Sequence, residues 1–525
     1  MFEIKVEDLA GRVGRLQTRS GSIETPYLFP VVDPLLRKQV VSVREIRDIG
    51  FRGVITNAYL ALKGYGSDVD IHKVLGFDGV VMTDSGAYQL MQYGDVDVGN
   101  REIMMFQCSC GSDIGVPLDI PTRYEDSRER VVYSVIETLR RLREGADIVR
   151  NCSSTLWVAP IQGGVQLDML YLSAKRIVDE GFLGLYSIAA LGSPTTLLER
   201  FRFDRVLEMI GLVRRVLPAS VPLHLFGAGH PLIIPFAVAL GVDTMDSASY
   251  ILYARDGRYM TSRGTYRIEE LEYFPCSCPV CSKYSPRELL ELEKPERVRL
   301  LALHNLYIIK QEISRVKQAI KEGRFWEYLE EVSKRHPAAR RAFEVLLRFY
   351  NIVISRTPSA RGETRSLMVL GDDSIYNPRA LRARAKVSRM RMKAIDRKSL
   401  VLVPLLHKWK PLRASPLVRK LTSSETMIVG YAPVIGAVPI ELSDAFPFSQ
   451  FETCNEFSGR ATVTTALEIQ EFLEKFCNDV KSIKIVFCSD IAWSKDIALE
   501  LLKNLCRGSS MHKEIIELVC GSVYE

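Results

Sequence analysis

The first 250 residues of the chain alternate between short apolar runs and stretches with helical periodicity. Eight apolar runs each end in a cluster of Gly, Asp, Asn or Pro residues: TPYLFPV (25–31), GVITNAY (53–59), VVMTDSG (80–86), IGVPLDIP (114–121), WVAPIQGG (157–164), LYSIAALG (185–192), PLHLFGAG (222–229) and VDTMDSAS (242–249). Their spacing of about 20 to 40 residues is typical of βα units. Eight such units predict an α/β fold with a closed (β/α)8 TIM barrel, and an open, doubly wound sheet is the alternative.

Polar or aromatic side chains stand at or just after several of these strand ends. They are Asp84, Asp119, Gln162, Phe226 and Asp246. Active sites of (β/α)8 barrels form at the carboxyl ends of the strands. The positions of these residues therefore favour the barrel over the open sheet.

Composition narrows the class of protein. Of the 525 residues, 47% are hydrophobic and 25% are charged, which is typical of a globular chain. No run approaches 18 apolar residues and the amino-terminal residues include acids, so we expect neither a membrane span nor a signal peptide. The net charge of +7 permits an anionic partner without requiring one. Eleven cysteines without an export signal predict reduced thiols in a soluble cytoplasmic protein, so the sequon at 151–153 is interpreted as a chance match.

A cysteine cluster near residue 280 gives the strongest local signal for a metal. Cys276, Cys278 and Cys281 offer three thiolates within a short segment, and His304 follows on a predicted helix. Three sulfurs and one imidazole complete a tetrahedral shell with no open position, so we predict one structural Zn2+ per chain. Three unconnected core thiols are the alternative. The CSC sequence at 108–110 lacks a further ligand nearby and is interpreted as two ordinary thiols.

The rest of the chain predicts long helices and a second α/β region. Residues 305–349 have the periodicity of amphipathic helices with a break at His336-Pro337, and 355–363 has the composition of a linker. We divide the chain into 1–350, the barrel with a zinc subdomain at about 270–310; 351–398, a linker and a basic helical segment; 399–455, an α/β domain; and 456–525, a second small α+β domain predicted as helix, strand, helix and helix.

Two aspartates at strand ends suggest acid–base chemistry. Asp84 lies between an apolar strand and a glycine turn, where it could reach the barrel mouth or simply cap a helix. Asp246 ends another strand, and two carboxylates on one rim suit glycosidic chemistry, one as nucleophile and one as acid/base. Spacing alone leaves these interpretations open.

Several motifs taken together resemble those of the tRNA-guanine transglycosylase family. They are VMTDSGAYQ (81–89), PIQG (160–163), FGAGHP (226–231), GVDTMDSAS (241–249), and CSCPVC (276–281) with HNL (304–306). Further stretches are similar to the archaeal branch of the family: GSDIGVPLDIP (111–121), YARDGRYMT (253–261) and GAVPIEL (436–442). The likeness is dense over 1–350 and thinner to about 455. It implies a pentosyltransferase that exchanges guanine at position 15 in the tRNA D-loop for 7-cyano-7-deazaguanine (preQ0), in archaeosine biosynthesis.

The resemblance also assigns roles to matching residues. Asp246 matches the nucleophile that attacks ribose C1′ and leaves a covalent enzyme–tRNA intermediate. Asp84 matches the carboxyl group that protonates the leaving base, and both are expected to be catalytic. The resemblance implies a substrate-binding set of Ser85, Tyr88, Asp119, Gln162, Ala189, Ala190 and Phe226.

Within that set, the resemblance implies that Asp119 and Gln162 read the edge of the base and that Tyr88 and Phe226 sandwich it. The segment 189–191 reads Ala-Ala-Leu where the bacterial enzyme has two adjacent glycines. The sequence therefore does not predict which residues contact the substituent at the seven-position of the base.

A second departure concerns how tRNA is held. Archaeal relatives often end in a PUA RNA-binding module, and the element pattern of 456–525 predicts none, so a separate RNA-binding protein is a candidate partner. The segment 379–398 carries nine Arg or Lys residues and one acid. A helix there would align four of them, and phosphate binding is predicted for Arg255, Arg258, Arg382, Lys386, Arg389 and Lys393. A solvated helix face without a partner is the alternative.

Two other functions stay open at this point. One is the amidotransferase-like paralogue that completes archaeosine, and the other is a non-catalytic, zinc-stabilised tRNA-binding subunit. The presence of both Asp84 and Asp246 counts against each, because the resemblance implies that the paired aspartates belong to the enzyme. Relatives pair through the zinc region, so the resemblance also implies a homodimer.

Overall fold

The computed structural model describes residues 2–87, 98–360, 365–390, 398–406, 410–454, 456–457, 459–505 and 512–520. Tyr88 and Lys393, both predicted to contact substrate, lie outside the described residues. The chain forms two compact units, one of Met1–Lys321 with Glu331–Arg356 and one of Glu322–Glu330 with Thr357–Glu525.

An antiparallel sheet of three strands, β1 (Phe2–Asp8), β2 (Gly11–Gln17) and β3 (Ser22–Thr25), begins the first unit. The buried Arg12 on β2 donates from Nε to Oδ1 of Asp243 at 2.8 Å. The other carboxylate oxygen of Asp243 accepts from Arg214 at 3.2 Å and from the backbone N–H of Leu223 at 2.8 Å. This buried ionic network lies where barrel strands begin, at the end opposite the predicted site.

Eight parallel strands form the core of the first unit and confirm the predicted (β/α)8 barrel. They are β4 (Tyr27–Pro30), β5 (Gly53–Asn57), β6 (Val80–Asp84), β7 (Ile114–Gly115), β8 (Leu156–Ile161), β9 (Ile188–Leu191), β10 (Leu223–Leu225) and β11 (Thr244–Ser247). The strands follow one another in chain order from β5 to β11, and β11 pairs with β4. A parallel bridge between Val31 and Ile55 joins β4 to β5 and closes the ring.

The barrel strands are apolar along most of their length because both faces are covered. All four residues of β4 and of β9 are buried. In β5 and β6 burial persists until the last residue, which is the polar Asn57 or Asp84. The polar ends of otherwise buried strands therefore mark the mouth of the barrel.

Helices follow the barrel strands and make up most of the remaining first unit. They are Val43–Asp48, Ala58–Tyr65, Ile71–Leu75, Asn100–Ser109, Arg128–Glu144, Ala146–Asn151, Leu167–Asp179, Thr195–Glu199, Phe203–Val216, Ile234–Ala239 and Ser249–Arg255. The hairpin β12 (Arg258–Thr261) and β13 (Gly264–Arg267) follows, with helices Pro286–Glu291 and Lys294–Glu322. No helix among the described residues is long and apolar enough to cross a membrane.

The helical region after residue 305 has one more break than predicted. Its later helices are Phe325–Ser333, Pro337–Arg348 and Tyr350–Arg356. The added break falls at Gly323, whose φ of +70° is the left-handed conformation in which helices commonly end. The helix Tyr350–Arg356 also extends into the segment expected to be a linker.

A five-stranded sheet in the order β17-β16-β15-β19-β20 forms the second unit. The strands of this unit are β14 (Leu367–Val369), β15 (Ser399–Pro404), β16 (Thr426–Ala432), β17 (Gly436–Pro439), β18 (Phe451–Thr453), β19 (Ser482–Cys488) and β20 (His512–Leu518). Its helices of six or more residues are Pro378–Arg389, Pro416–Leu421, Gly459–Glu474 and Ala492–Asn504. Strand β17 is antiparallel to β16, and the other neighbours in the sheet run parallel.

This sheet takes strands from both ranges for which separate domains are expected. Strands β15 to β17 belong to 399–455, and β19 and β20 belong to 456–525, so the expected boundary falls inside one sheet. The last predicted helix is instead the strand β20. This strand lies at the sheet edge and is only partly buried, so its sequence, HKEIIEL, shows no clear alternation of apolar and polar residues.

Disulfides contradict the expectation that all cysteines are reduced. Cys108 is bonded to Cys152, and Cys488 is bonded to Cys520. The first bond joins the helices Asn100–Ser109 and Ala146–Asn151 near their carboxyl ends. The partners are 44 and 32 residues apart, so no local spacing motif identifies them.

Candidate active site

A cavity of about 790 Å³ opens at the carboxyl ends of the barrel strands. It is lined by all five strand-end residues singled out from the sequence: Asp84, Asp119, Gln162, Phe226 and Asp246. They come from five different strand ends, which meet because the strands are parallel and the barrel is closed. A concave pocket with a few convergent polar groups is the usual form of a small-molecule site.

Asp84 is the last residue of β6, and its carboxyl group suits proton transfer. Its Oδ2 accepts a hydrogen bond from Asn57 Nδ2 at 3.3 Å. Burial, followed by the nearby charges of Asp119 and Asp246, raises the pKa of Asp84 to about 7. A carboxyl group with a pKa near neutrality can both give and take a proton at physiological pH.

Asp246 on β11 has a different environment. Its Oδ1 accepts two hydrogen bonds, from Nε2 of His224 at 3.1 Å and from the backbone N–H of Gly227 at 3.0 Å. Gly227 has φ +73°, a conformation that favours glycine and that turns its N–H toward the carboxylate. Oδ2 has no hydrogen-bond partner among the described residues. One oxygen of Asp246 is therefore held by two donors, and the other is available to a substrate.

Asp119 and Gln162 form one polar edge of the cavity. Gln162 Nε2 donates to Oδ2 of Asp119, and Ser193 Oγ donates to Oε1 of Gln162 at 2.8 Å. Burial raises the pKa of Asp119 to about 6. A Cβ at Gly192 would lie 2.3 Å from Gln162 Nε2, so a glycine at this position leaves room for the amide. An acceptor and an amide are thus fixed side by side before any ligand arrives.

The other residues of the predicted substrate-binding set lie around this edge. Ser85 is buried, and its hydroxyl has no hydrogen-bond partner among the described residues. Phe226 contacts the His224 ring edge-to-face, with 4.6 Å between centroids. Ala189 and Ala190 are fully buried in β9 and, within the described part of the chain, do not line the cavity.

Sequence analysis missed four contributors to this site: Asn57, Ser193, His224 and Gly227. Asn57 and His224 were detectable as polar residues in otherwise apolar strands. Their partners are 27 and 22 residues away, so only the barrel register shows what they contact. Ser193 and the Gly227 N–H leave no comparable signal in the sequence.

The predicted metal ligands come together in the first unit. The ligand atoms of Cys276, Cys278, Cys281 and His304 lie within 4.8 Å of one another. His304 Nδ1 is 3.5 Å from the sulfur of Cys278 and 3.3 Å from that of Cys281. Its Nε2 lies 2.9 Å from the carbonyl oxygen of Met260, which leaves Nδ1 free to bind a metal. Three thiols and one imidazole fit a tetrahedral metal ion, and this cluster can hold one.

Two arginines predicted to bind RNA lie near the cavity. Arg255 is exposed at its rim and donates to the carbonyl of Lys38 at 2.9 Å. The Arg258 guanidinium lies over the ring of Tyr253, 3.9 Å from its centroid. Arg37 lines the same cavity and is exposed, although sequence analysis did not select it. The described cavity rim therefore carries several cations.

The basic helix Pro378–Arg389 of the second unit is less uniform than predicted. Arg382 donates to the carbonyl of Thr357 and to Ser359 Oγ, the latter at 3.1 Å. Lys386 and Arg389 are exposed. Arg382 is therefore partly engaged within the unit, whereas Lys386 and Arg389 are open to solvent.

The cavity combines groups suited to cleaving a bond between a sugar and a base. Asp84 can protonate a leaving group, and Asp246 presents an oxygen that no described residue hydrogen-bonds. Asp119 and Gln162 offer acceptor and donor positions for a planar heterocycle. Such a carboxyl pair is the usual arrangement for glycosidic chemistry.

Comparisons with known proteins agree with this chemistry. The family model described as TGT: Queuine tRNA-ribosyltransferase matches residues 8–338. A curated tRNA-guanine(15) transglycosylase from Aeropyrum pernix is 43% identical over 97% of this chain and 98% of its own length. The Saccharolobus solfataricus protein of the same name is 41% identical over 94% of this chain and 97% of its own. The Pyrococcus abyssi protein is 40% identical, but the match covers 87% of this chain and 72% of that protein.

Proposed function

Because the chain belongs to the TGT family of queuine tRNA-ribosyltransferases, we propose that it replaces guanine 15 in the D-loop of tRNA with 7-cyano-7-deazaguanine. The chain is a pentosyltransferase of the tRNA-guanine(15) transglycosylase type, and guanine exchange in tRNA is the activity of this type. The identity of the incoming base and the formation of a covalent intermediate are further parts of the proposal. The observation that carries it is the pair of carboxyl groups, Asp84 and Asp246, with different environments in one cavity.

In the first half-reaction, a carboxylate oxygen of Asp246 attacks ribose C1′ of nucleotide 15. A C1′–O bond forms while the C1′–N9 bond breaks, and its electron pair stays with guanine. Asp84 gives its proton to the departing base, which leaves as neutral guanine. The pKa of about 7 supports this role, because a useful fraction of Asp84 is protonated at neutral pH.

The second half-reaction reverses these steps with the new base. Asp84, now ionised, accepts the N9 proton of the incoming base. N9 then attacks C1′, the ester bond to Asp246 breaks, and both aspartates return to their starting states. The overall exchange needs no external oxidant, reductant or nucleotide.

Base recognition is assigned to Asp119 and Gln162. A carboxylate can accept from the N1–H and the exocyclic amine that guanine and 7-cyano-7-deazaguanine share, and an amide can donate to O6. Their mutual hydrogen bond supports this role, because it keeps both groups at one edge of the cavity. Ser85, Tyr88 and Phe226 are proposed to contact the base as well.

Zn2+ is the metal proposed for the cluster of Cys276, Cys278, Cys281 and His304. All four ligands come from the protein, so the ion would stabilise the fold of residues 270–310 and would not activate water. Catalysis is assigned to the carboxyl groups alone.

The proposed partners follow from the substrate. tRNA phosphates would bind the exposed cations at the cavity rim and on the helix Pro378–Arg389. We also propose a homodimer, as the resemblance implies, together with a cytoplasmic location and a separate RNA-binding protein as a further partner.

A base-exchange assay tests the function. Wild-type protein should incorporate radiolabelled guanine into whole tRNA, and unlabelled 7-cyano-7-deazaguanine should compete with it. Asp246→Asn should abolish both incorporation and the covalent protein–tRNA adduct, because an amide is too poor a nucleophile for C1′. Asp179→Asn, which changes an exposed carboxylate paired with Lys175, is the matched control and should keep full activity. Near-normal exchange by Asp246→Asn would refute the assignment.

A further inference from the structure

His224 is a buried imidazole inside the barrel, next to the proposed nucleophile. It is the middle residue of β10, between the fully buried Leu223 and Leu225. Parallel pairing of β10 with β11 sets His224 opposite Thr244, two residues before Asp246. Only 1% of His224 is exposed, so its ring nitrogens must find partners within the protein.

Both ring nitrogens have such partners. Nδ1 lies 3.0 Å from Thr244 Oγ1, and Nε2 lies 3.1 Å from Asp246 Oδ1. An ionised carboxylate can only accept a hydrogen bond, so the nitrogen that faces Asp246 carries a proton. The Thr244 hydroxyl can then pair with Nδ1, and the two contacts together fix the orientation of the ring.

The two donors to Asp246 both act on the same oxygen. His224 Nε2–H and the Gly227 N–H converge on Oδ1, and Oδ2 has no hydrogen-bond partner among the described residues. Hydrogen bonds to a charged carboxylate stabilise that form and fix the plane of the group.

We propose that His224 is a positioning residue that orients Asp246 so that Oδ2 is the atom that attacks ribose C1′. This inference rests on the proposed function and deepens it. It also explains how two nearby aspartates take different roles. Asp246 receives a buried imidazole N–H from His224 at 3.1 Å, whereas Asp84 has no such donor among the described residues: the Asn57 amide lies 3.3 Å away, and burial outweighs the backbone hydrogen bonds from Ser85 and Gly86.

The test compares variants that keep or remove the donor. His224→Leu removes it, and His224→Gln places an amide N–H near the position of Nε2. Loss of one buried donor to a charged reacting group lowers the rate by roughly 10- to 100-fold. We therefore expect His224→Leu to lower kcat for guanine exchange by that factor with little change in the KM for tRNA. His224→Gln should recover most of the lost rate.

The single-turnover rate of covalent protein–tRNA adduct formation separates this role from a merely structural one. His224→Leu should slow adduct formation and His224→Gln should restore its rate, whereas a folding defect would lower the amount of adduct and leave its rate unchanged. His72→Leu is the matched control, because it breaks another histidine–carboxylate pair, His72–Asp113 at 3.3 Å, at the amino end of β7. That control should leave the rate of adduct formation unchanged.

Thr244→Val provides a second route if His224→Leu does not fold. It removes only the hydroxyl that faces Nδ1 and should slow adduct formation by a smaller factor. An unchanged rate of adduct formation in the foldable variants, or no rescue by His224→Gln, would overturn the inference while the wild-type protein still exchanges guanine. A wild-type protein without exchange would instead refute the proposed function, and with it this inference.

Discussion

Replacing Asp84 with Asn should stabilise the protein above neutral pH while it abolishes base release. The proposed general acid has its pKa raised from 3.8 to about 7 by burial and by two neighbouring carboxylates. A group held in this way lowers the stability of the fold once it ionises. The environment that raises the pKa of Asp84 therefore lowers the stability of the fold above neutral pH. Replacing the carboxyl group with an amide removes both this loss of stability and the proposed acid–base group.

The sign of the effect follows from proton linkage. Below about pH 4 the carboxyl group is protonated in both the folded and the unfolded chain, and it contributes no difference. Between about pH 4 and pH 7 the unfolded chain loses its proton first, so the free energy of unfolding falls as the pH rises. Above about pH 7 the full loss is reached and stays constant. Asparagine cannot ionise, so the variant avoids this loss.

The magnitude comes from the size of the shift. The pKa difference of about 3 units between 3.8 and about 7, at 1.36 kcal/mol per unit, corresponds to about 4 kcal/mol. Asp84 keeps some exposure to the cavity, and solvent screening reduces the value to about 2–4 kcal/mol. For a large domain, about 2 °C in Tm accompanies each kcal/mol, so the variant should melt about 4–8 °C higher at pH 8.5. The asparagine oxygen can still accept the hydrogen bond from Asn57.

Thermal unfolding of both proteins from pH 4 to pH 9, followed by circular dichroism, measures this difference. The two melting temperatures should coincide near pH 4, separate between pH 4 and pH 7, and keep a constant gap above pH 7. Guanine exchange should be lost by about 10²–10⁴-fold at every pH, the usual worth of general acid–base assistance. A gap that does not depend on pH, or no gap at pH 8.5, would refute the linkage argument.

Three further outcomes are expected. Gently purified protein should contain about one zinc per chain by elemental analysis, and Cys281→Ser should lose the metal and expose residues 270–310 to protease. Asp243→Asn should lower the free energy of unfolding in urea by about 3–5 kcal/mol, because it leaves two buried arginines without their carboxylate; the control Asp147→Asn, at an exposed ion pair, should leave it almost unchanged. The double variant Lys386→Ala, Arg389→Ala should weaken tRNA binding. The steepness with which the logarithm of the binding constant falls with the logarithm of salt concentration should decrease by about 1.4, at about 0.7 per phosphate contact. An unaltered slope would indicate that these residues form a solvated helix face.

The barrel could be predicted from the sequence because its strands are short and buried, and because clusters of Gly, Asp, Asn or Pro residues mark where they end. Runs such as VVMTDSG pass from apolar residues to a polar residue and a glycine within a few positions. Each of the eight runs coincides with a barrel strand, and no barrel strand begins more than one residue before its run. The second unit gives weaker signals. Strand β20 is a half-buried edge strand with charged residues, so helical and extended readings of its sequence compete. The bond between Cys108 and Cys152 depends on two helices meeting in space, which no spacing motif encodes.

For the candidate site, the sequence alone could not assign different roles to the two aspartates, and the reason is physical. Asp84 and Asp246 are the same residue type, each at the end of an apolar strand, and nothing local distinguishes a proton donor from a nucleophile. Their environments distinguish them, since desolvation and two neighbouring carboxylates raise the pKa of Asp84, whereas an imidazole and a backbone N–H hold one oxygen of Asp246. Those neighbours come from other strands and loops and are fixed by the barrel register. The proposed division of roles therefore depends on the closed barrel, and variants at His224, which leave both aspartates in place, are the direct way to perturb it.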